Sequence, residues 1–372
     1  MRLVLTGGGT GGHVYPAIAI AEACARDAAL APLEVSFVGT RGGIESRIVP
    51  TAGFPIAFVC AAPLERRVSL SLFVTVAANV FGFLGALATL HRARPDVLVA
   101  TGGYVAFPVV AAMRLVRTLR MTRARIALLE ANAAAGLANR LLAPLVDEIW
   151  YATAPARALR ANETVTGMPV RASLLEPIDA RTARRTLGID EALTTIVFIG
   201  GSQGARSLNE AVAGLIESGM PPGWQIVVLA GERDVAALAR RLGGRERVHL
   251  LAYLDDPHAA YAAADIVVAR SGASTLAELA ATGTPAILVP YPHATDDHQM
   301  HNARAHAAGG AAVVLPDREL DAVRLHRELE AALSPEKLSD LRATARTNAG
   351  SDPTATIVAR VKALASTNGS VP

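Results

Sequence analysis

Five glycines lie within residues 7–12, between a short apolar segment at 2–6 and an apolar helical run at 17–24. Glycine lets a phosphate approach the backbone, and the free N–H groups at a helix N-terminus favour negative charge. Thr10 and His13 carry the only functional side chains of this loop, so we expect them to face a ligand. The alternative is a tight strand–helix turn that binds nothing.

The same loop also fits the dinucleotide-binding pattern Gly-x-Gly-x-x-Gly. A nicotinamide enzyme needs an acidic residue at the end of the second strand to hold the ribose. Here that segment ends in Val38, Gly39 and Thr40, and Glu45 comes too late, within the next predicted helix. The sequence therefore disfavours a nicotinamide oxidoreductase.

Two further stretches have the chemistry of a nucleotide site. A second glycine loop at 200–204 follows an apolar segment, and the hydroxyl of Ser202 could donate to a phosphate oxygen. At 270–278, Ser271 or Ser274 could cap a helix whose Glu278 could hold two ribose hydroxyls. The alternatives are a plain Gly-Ser turn and a surface glutamate that is favourable near a helix N-terminus.

The polar stretch at 297–302 could bind sugar hydroxyls. His298 and His301 would suggest a metal, but no third ligand lies nearby in the sequence, and no Asp-x-Asp pair occurs in the chain. We therefore predict neither a metal nor a cofactor.

The chain alternates strand and helix in two series, which indicates an α/β protein with parallel sheets. We predict two doubly wound, Rossmann-like domains that face a cleft. The predicted divisions are a first domain at 1–168, a second at 169–350, a helix at 351–365 that packs back on the first domain, and a disordered tail at 366–372. The predicted strands are 2–6, 35–38, 56–59, 97–100, 126–129, 148–151, 195–199, 225–229, 248–251, 266–269, 286–289 and 312–314.

Charge is distributed unevenly along the 372 residues. The whole chain carries +3, but residues 1–170 carry +6 and the remainder −3. A basic half suggests a nucleic acid or a membrane surface as partner, and an aromatic content of 4% argues against nucleic acid. The isolated Cys24 and Cys60 suggest a reducing compartment, and because Met1 leads directly into a strand we expect no cleavable signal.

Residues 68–90 are almost free of charge and long enough to be considered a transmembrane helix. We reject that interpretation because the helix is needed to cover the first sheet. Arginines flank it at 66, 67, 92 and 94, and others recur at 114, 117, 120 and 123, a spacing that we interpret as a stripe on one helix. We predict peripheral binding to anionic lipid, the alternative being a solvated arginine face over a core helix.

Five motifs occur in the order found in one known family: residues 8–13, 102–104, 201–204, 270–278 and 298–303. On these residues, and over nearly its whole length, the chain resembles the MurG family of glycosyltransferase family 28. The resemblance implies a GT-B fold, UDP-N-acetylglucosamine as donor and the undecaprenyl-pyrophosphoryl-N-acetylmuramyl-pentapeptide called lipid I as acceptor. It further implies inverting, metal-independent transfer to the 4-hydroxyl, giving lipid II for peptidoglycan, at the cytoplasmic face of the cell membrane.

The resemblance also implies roles for individual residues. His13, Gly103 and Tyr104 belong to the acceptor side. The residues on the donor side are Thr10, Gly11, Gly12, Asn132, Arg171, Ser202, Leu254, Ala273, Ser274, Thr275, Leu276, Ala277, Glu278 and Gln299.

Two motifs depart from the family pattern. Leu129 and Ala131 stand where the family usually has histidine and glutamine, and Met168 stands where it usually has asparagine. The lost histidine removes one candidate proton carrier, which leaves His13 as the first candidate for the general base and Glu130 as the second.

Several alternatives remain open from the sequence. One is another GT-B transferase, such as one that glycosylates diacylglycerol. A UDP-sugar 2-epimerase is a second, although it would not need a basic membrane-facing domain. The third is a membrane-associated nucleotide-sugar-binding protein without turnover.

Overall fold

The computed structural model describes residues 1–63, 70–155, 157–201, 204–254, 256–348 and 353–367, with the side chains of all of these except 70–72 and 348. The chain forms two compact units. The first runs from Met1 to Arg171, the second begins at Ala172, and the chain returns to the first unit for its C-terminal helix.

The first unit contains a seven-stranded sheet in which every neighbouring pair is parallel. The strand order is β3-β2-β1-β4-β5-β6-β7. The strands are β1 (Arg2–Thr6), β2 (Glu34–Gly39), β3 (Ile56–Phe58), β4 (Val97–Ala100), β5 (Arg125–Glu130), β6 (Glu148–Tyr151) and β7 (Glu163–Val165). Six of them were predicted. The sequence analysis missed β7, because two of its three residues, Glu163 and Thr164, are polar and it contains no apolar run.

Helices connect these strands. They are α1 (Gly11–Arg26), α2 (Glu45–Thr51), α3 (Leu70–Ala93), α4 (Ala106–Thr118) and α5 (Leu137–Leu142). A buried apolar cluster forms between β1, β4 and β5 and helices α3 and α4, with Leu98, Ile126 and Met113 at its centre. Central strands are buried on both faces, and this explains continuous apolar runs such as Val97–Ala100.

The second unit repeats the design with six strands, all parallel, in the order β10-β9-β8-β11-β12-β13. The strands are β8 (Thr194–Ile199), β9 (Trp224–Leu229), β10 (Val248–Leu251), β11 (Ile266–Ala269), β12 (Ala286–Leu288) and β13 (Ala312–Val314). The helices are α6 (Ala180–Leu187), α7 (Arg206–Ser218), α8 (Val235–Leu242), α9 (His258–Ala263), α10 (Ala273–Thr282), α11 (His298–Ala308), α12 (Ala322–Leu333) and α13 (Pro335–Asn348). All six strands were predicted.

The last helix, α14 (Pro353–Ser366), packs against α1 of the first unit. The Arg360 guanidinium pairs with the Glu148 carboxylate at the start of β6, and the Lys362 ammonium lies 2.5 Å from the Asp27 carboxylate. We expected disorder at 366–372, but Ser366 is helical; residues 368–372 lie outside the described part of the chain.

The arginine stripe that we predicted on one helix is wrong. Helix α4 ends at Thr118, and Arg120 adopts a left-handed φ of 58°, so the spacing of three does not continue along a helical face. The guanidiniums of Arg117 and Arg125 both pair with the Asp147 carboxylate. Salt bridges and hydrogen bonds to this aspartate lower its pKa despite the opposing effect of burial. Arg114, Arg120 and Arg123 are exposed, whereas Arg66, Arg67 and Val68 lie outside the described residues.

Each sheet has one point where the strand order reverses. In the first unit this point lies between the neighbouring strands β1 and β4, because the chain continues from β1 to β2 on one side and from β4 to β5 on the other. In the second unit it lies between β8 and β11. Loops that leave adjacent parallel strands at such a point diverge, and the crevice between them is where ligands bind in open α/β sheets. Both glycine loops and the stretch at 270–278 leave the sheets at these two points.

Candidate functional site

The switch point of the first unit is formed by the loops that follow β1 and β4, packed backbone against backbone. Gly103 has a left-handed φ of 81°, and a Cβ there would lie 2.4 Å from the carbonyl oxygen of Gly8. A Cβ at Gly9 would lie 2.6 Å from the ring of Tyr104. These glycines are therefore required by close packing within the protein, which brings Tyr104 against the first glycine loop.

His13, on the first turn of α1, is held by the loop that follows β4. Its Nδ1 lies 2.8 Å from the carbonyl oxygen of Thr101, and the Thr101 hydroxyl donates to the His13 carbonyl at 2.7 Å. Because a carbonyl only accepts, Nδ1 carries the proton, and the neutral ring then has its lone pair on Nε2. The fold thus fixes both the orientation and the tautomer of His13.

Thr10 precedes α1 as its N-cap residue and is exposed. Among the described residues, its hydroxyl makes no capping bond to the helix. The side chain is therefore exposed beside the helix N-terminus.

Glu45, which we had considered only as a ribose ligand and set aside, organises the first glycine loop from behind. Its carboxylate is 1% exposed and accepts from the Gly9 N–H at 3.0 Å, the Thr40 N–H at 2.9 Å and the Thr40 hydroxyl at 2.7 Å. A Cβ at Gly8 or Gly43 would lie within 2.5 Å of its oxygens. The Gly9 N–H thus has its hydrogen-bond partner inside the protein.

Exchange of this carboxylate for an amide is expected to destabilise the fold. In Glu45→Gln one NH₂ group must face a buried donor, so we expect the free energy of unfolding to fall by about 1–3 kcal/mol. Urea denaturation measures it, with the exposed Glu34→Gln as the matched control. Equal stability of both variants would contradict the positioning role.

Glu130 ends β5 and is buried. Its two oxygens accept from the Asn132 N–H at 2.9 Å and from the Asn139 amide at 2.7 Å. Burial raises the pKa of this carboxyl, and the amide donors oppose that shift. These contacts fix the turn that carries Asn132 and engage both oxygens of Glu130 within the protein.

Arg171, the last residue of the first unit, lies over the ring of Tyr15 with 4.7 Å between its guanidinium carbon and the ring centroid. Tyr15 in turn lies against Gly11, where a Cβ would be 3.1 Å from the ring. The predicted donor residues Gly11 and Arg171 are thereby brought to the same end of α1. The residues that depart from the family pattern, Leu129, Ala131 and Met168, are all buried apolar residues.

The switch point of the second unit joins the loop after β8 to the start of α10. Gly204 has a φ of 74°, and a Cβ there would lie 2.6 Å from the carbonyl oxygen of Ala230, so this glycine too is required by packing. Ser202 lies outside the described residues. Helix α10 begins at Ala273, and the hydroxyl of Ser274 in its first turn is buried without a hydrogen-bond partner among the described residues.

Ser271 links α10 to α11. Its hydroxyl donates to the Gln299 carbonyl at 2.7 Å, and the Gln299 side-chain oxygen accepts from the Tyr291 N–H at 2.9 Å. The Nδ1 of His298 lies 2.7 Å from the Thr295 carbonyl oxygen. No metal-binding cluster of His, Cys, Asp or Glu occurs among the described residues.

Glu278 lies two turns into α10 and is half-buried, as is Leu254. Its Oε2 accepts from the Tyr261 hydroxyl at 2.7 Å. The sequence analysis did not single out Tyr261. The remaining predicted donor residues in this unit, Ala273, Thr275, Leu276 and Ala277, belong to the first turns of the same helix.

Comparison with known proteins gives consistent matches. The model of the glycosyltransferase family 28 N-terminal domain matches residues 3–151, and that of the C-terminal domain residues 195–358. Two curated relatives are named UDP-N-acetylglucosamine–N-acetylmuramyl-(pentapeptide) pyrophosphoryl-undecaprenol N-acetylglucosamine transferase. The protein from Halothermothrix orenii is 37% identical over 91% of both chains, and that from Desulforudis audaxviator 40% identical over 92% of both. The crystal structure of Acinetobacter baumannii MurG superposes with a TM-score of 0.73 at 24% identity, covering 97% of this chain and 99% of that one.

Proposed function

The chain belongs to glycosyltransferase family 28, and from that premise we propose a role for each of its two switch-point sites. The enzyme is a glycosyltransferase that moves N-acetylglucosamine from UDP-N-acetylglucosamine to N-acetylmuramyl-(pentapeptide) pyrophosphoryl-undecaprenol, the reaction for which its relatives are named. The site of the first unit acts on the acceptor hydroxyl, and the site of the second unit holds the nucleotide.

The general base is His13. The acceptor 4-hydroxyl attacks the anomeric carbon from the face opposite the leaving UDP, which inverts the configuration, and the transition state resembles an oxocarbenium ion. The proton of the attacking hydroxyl passes to Nε2. The observation that carries this proposal is the contact between Nδ1 and the Thr101 carbonyl, because it sets the tautomer that a base requires.

Negative charge builds on the leaving diphosphate, and helix N-termini with nearby hydroxyls are suited to stabilise it. The second unit offers the N-termini of α7 and α10 beside its switch point. Ser274 has a buried hydroxyl there, and Ser202 belongs to the preceding loop. We assign the phosphates to these groups.

The remaining assignments follow the family motifs and stand as proposals. Glu278 holds the ribose, Leu254 offers its backbone to the uracil, and Gln299 contacts the sugar. Gly103 and Tyr104 contact the acceptor. The residues of the first unit that we assign to the donor are Thr10, Gly11, Gly12, Asn132 and Arg171.

A transfer assay tests the activity. Radiolabelled UDP-N-acetylglucosamine is offered with lipid I and, separately, with diacylglycerol. We expect label in the product from lipid I alone. Label in diacylglycerol would favour the other lipid glycosyltransferase, a UDP-sugar product epimerised at C2 would favour the epimerase, and UDP-sugar binding without turnover would favour a non-catalytic binding protein.

Removal of the Glu278 carboxylate tests the nucleotide site. Because the substitution removes the proposed hydrogen bonds between the ribose and a charged carboxylate, we expect Glu278→Ala to weaken UDP binding by about 1–3 kcal/mol in calorimetry. Glu336→Ala removes an exposed glutamate from the first turn of α13 in the same unit; it is the control and should bind UDP normally. Unchanged affinity in Glu278→Ala would refute the ribose assignment.

We place the enzyme at the cytoplasmic face of the cell membrane as a peripheral protein, where its undecaprenol-linked acceptor is held. One helical stretch, Phe73–Ala93 in α3, is long and apolar enough to cross a membrane, but its Ala86 and Leu90 belong to the core of the first unit. The opposite face of α3 exposes large apolar side chains. We name as the α3–α4 patch the exposed residues Phe73, Val74, Val76, Val80, Phe81, Leu84, Leu115, Leu119 and Met121.

A further inference from the structure

We infer that Tyr261 is a positioning residue for the donor: its phenol fixes the carboxylate of Glu278 in the orientation that the ribose requires. This inference rests on the proposed nucleotide site and extends it to a residue that makes no contact with the ligand itself. No motif of the sequence points to Tyr261.

The contact is short and comes from a fully buried ring. Tyr261 lies on α9, is 1% exposed, and its hydroxyl donates to Oε2 of Glu278 at 2.7 Å. An ionised carboxylate only accepts, so the phenol is the donor in this pair. A tyrosine buried to this extent needs a polar partner for its hydroxyl, and the fold supplies a carboxylate that is itself half-buried.

The two residues are also linked through their backbones. The Thr282 hydroxyl donates to the Glu278 carbonyl at 2.8 Å, and the Thr284 hydroxyl lies 3.4 Å from the Tyr261 carbonyl oxygen. The two threonine hydroxyls are 2.8 Å apart. Helix α9 is thereby tied to both the middle and the end of α10, so the phenol oxygen has a fixed position relative to the Glu278 backbone.

The hydrogen bond from Tyr261 restricts the terminal side-chain torsion of Glu278, which sets the orientation of its carboxylate. The terminal torsion of a glutamate side chain is broad and is readily rotated. Two adjacent ribose hydroxyls can each donate to a different carboxylate oxygen only when the plane of the carboxylate is turned towards them. A carboxylate has enough lone pairs to accept from the phenol and from the ribose together. Fixing that plane before the ligand arrives removes an ordering cost from binding.

Calorimetric titration of the full-length protein with UDP tests the inference through a double-mutant cycle. Tyr261→Phe keeps the ring and removes only the hydroxyl, and we expect it to weaken UDP binding by about ten-fold. In the Glu278→Ala background the same substitution should have no further effect, because its route of action is gone. The donor KM should rise in Tyr261→Phe, while the KM for lipid I stays unchanged.

Two comparisons separate positioning from general support of the fold. Tyr151→Phe removes another buried tyrosine hydroxyl, one that contacts Glu163 and Arg157 in the first unit, and should leave UDP affinity unchanged. The preference for UDP over its 2′-deoxyribose analogue should shrink in Tyr261→Phe, which a mere loss of stability would not cause.

The outcomes distinguish this inference from the proposed function. Normal UDP binding by wild type together with unchanged affinity in Tyr261→Phe would overturn the inference alone. Equal weakening by Tyr261→Phe with and without Glu278 would overturn it too, since the phenol would then act by another route. A wild-type protein that does not bind UDP would overturn the proposed function and this inference with it.

Discussion

Replacement of His13 by alanine is expected to lower turnover by a factor of about 10²–10⁴, the usual contribution of a positioned general base. Donor affinity should fall much less, because the histidine is placed to take the acceptor proton. The half-buried His249→Ala, on β10 of the second unit, is the matched control and should turn over normally. Steady-state transfer to lipid I, with UDP affinity measured separately by calorimetry, gives both quantities.

The pH dependence supplies a second measurement of the same role. Wild-type kcat/KM should fall as the pH is lowered, since a protonated imidazole has no lone pair for the acceptor proton. The residual activity of His13→Ala should lack that decrease. Near-normal turnover in His13→Ala would return the role to Glu130 or to no single residue, and a large loss of UDP affinity would make His13 a phosphate ligand instead.

The fold was predictable because its signals are local. Apolar segments mark twelve of the thirteen strands, and their alternation with helices specifies parallel sheets. Each switch point then follows from the strand order. Only β7 was missed, because its sequence Glu-Thr-Val is mostly polar and does not form an apolar segment.

Positioning residues were not predictable, because their partners are distant in sequence. Glu45 lies 36 residues from Gly9, whose N–H it accepts, and Tyr261 lies 17 residues from Glu278. No sequence pattern around an isolated glutamate or a core tyrosine predicts such a contact. The family resemblance leads to residues that are proposed to touch ligands, whereas the groups that hold those residues become apparent only when the chain is folded.

The arginine stripe shows the opposite error, a local pattern that the tertiary structure overrides. The spacing of three would make a stripe on a continuing helix, but α4 ends before Arg120. Asp147, on a later loop, engages Arg117 and Arg125. The positive charges that remain for a lipid surface are therefore fewer than the sequence suggested, so in the proposed binding to lipid apolar burial contributes the larger share.

The exposed phenylalanines of the α3–α4 patch are expected to contribute strongly to vesicle binding. Phe73 and Phe81 are 74% and 67% exposed, on a helix whose other face lies in the core. Full burial of such a ring contributes about 1.5–3 kcal/mol. The lower value, about 1.5 kcal/mol, corresponds to about a ten-fold change in the membrane partition coefficient for each ring. The double variant Phe73→Ser/Phe81→Ser should therefore bind phosphatidylglycerol vesicles about 100-fold more weakly in flotation. Val323→Ser, at an 80% exposed apolar site in the second unit, is the control.

Charge contributes the smaller share, and its distribution can be tested separately. Each exposed arginine near anionic lipid is worth about 1 kcal/mol, so Arg114→Gln/Arg120→Gln should weaken vesicle binding by roughly 30-fold at low salt and less at high salt. Arg117→Gln should matter less for lipid, because that guanidinium is held by Asp147. Equal binding to neutral and anionic vesicles would refute the electrostatic part. Binding that resists both salt and alkaline carbonate would show that α3 spans the bilayer, since a peripheral patch is released by one or the other.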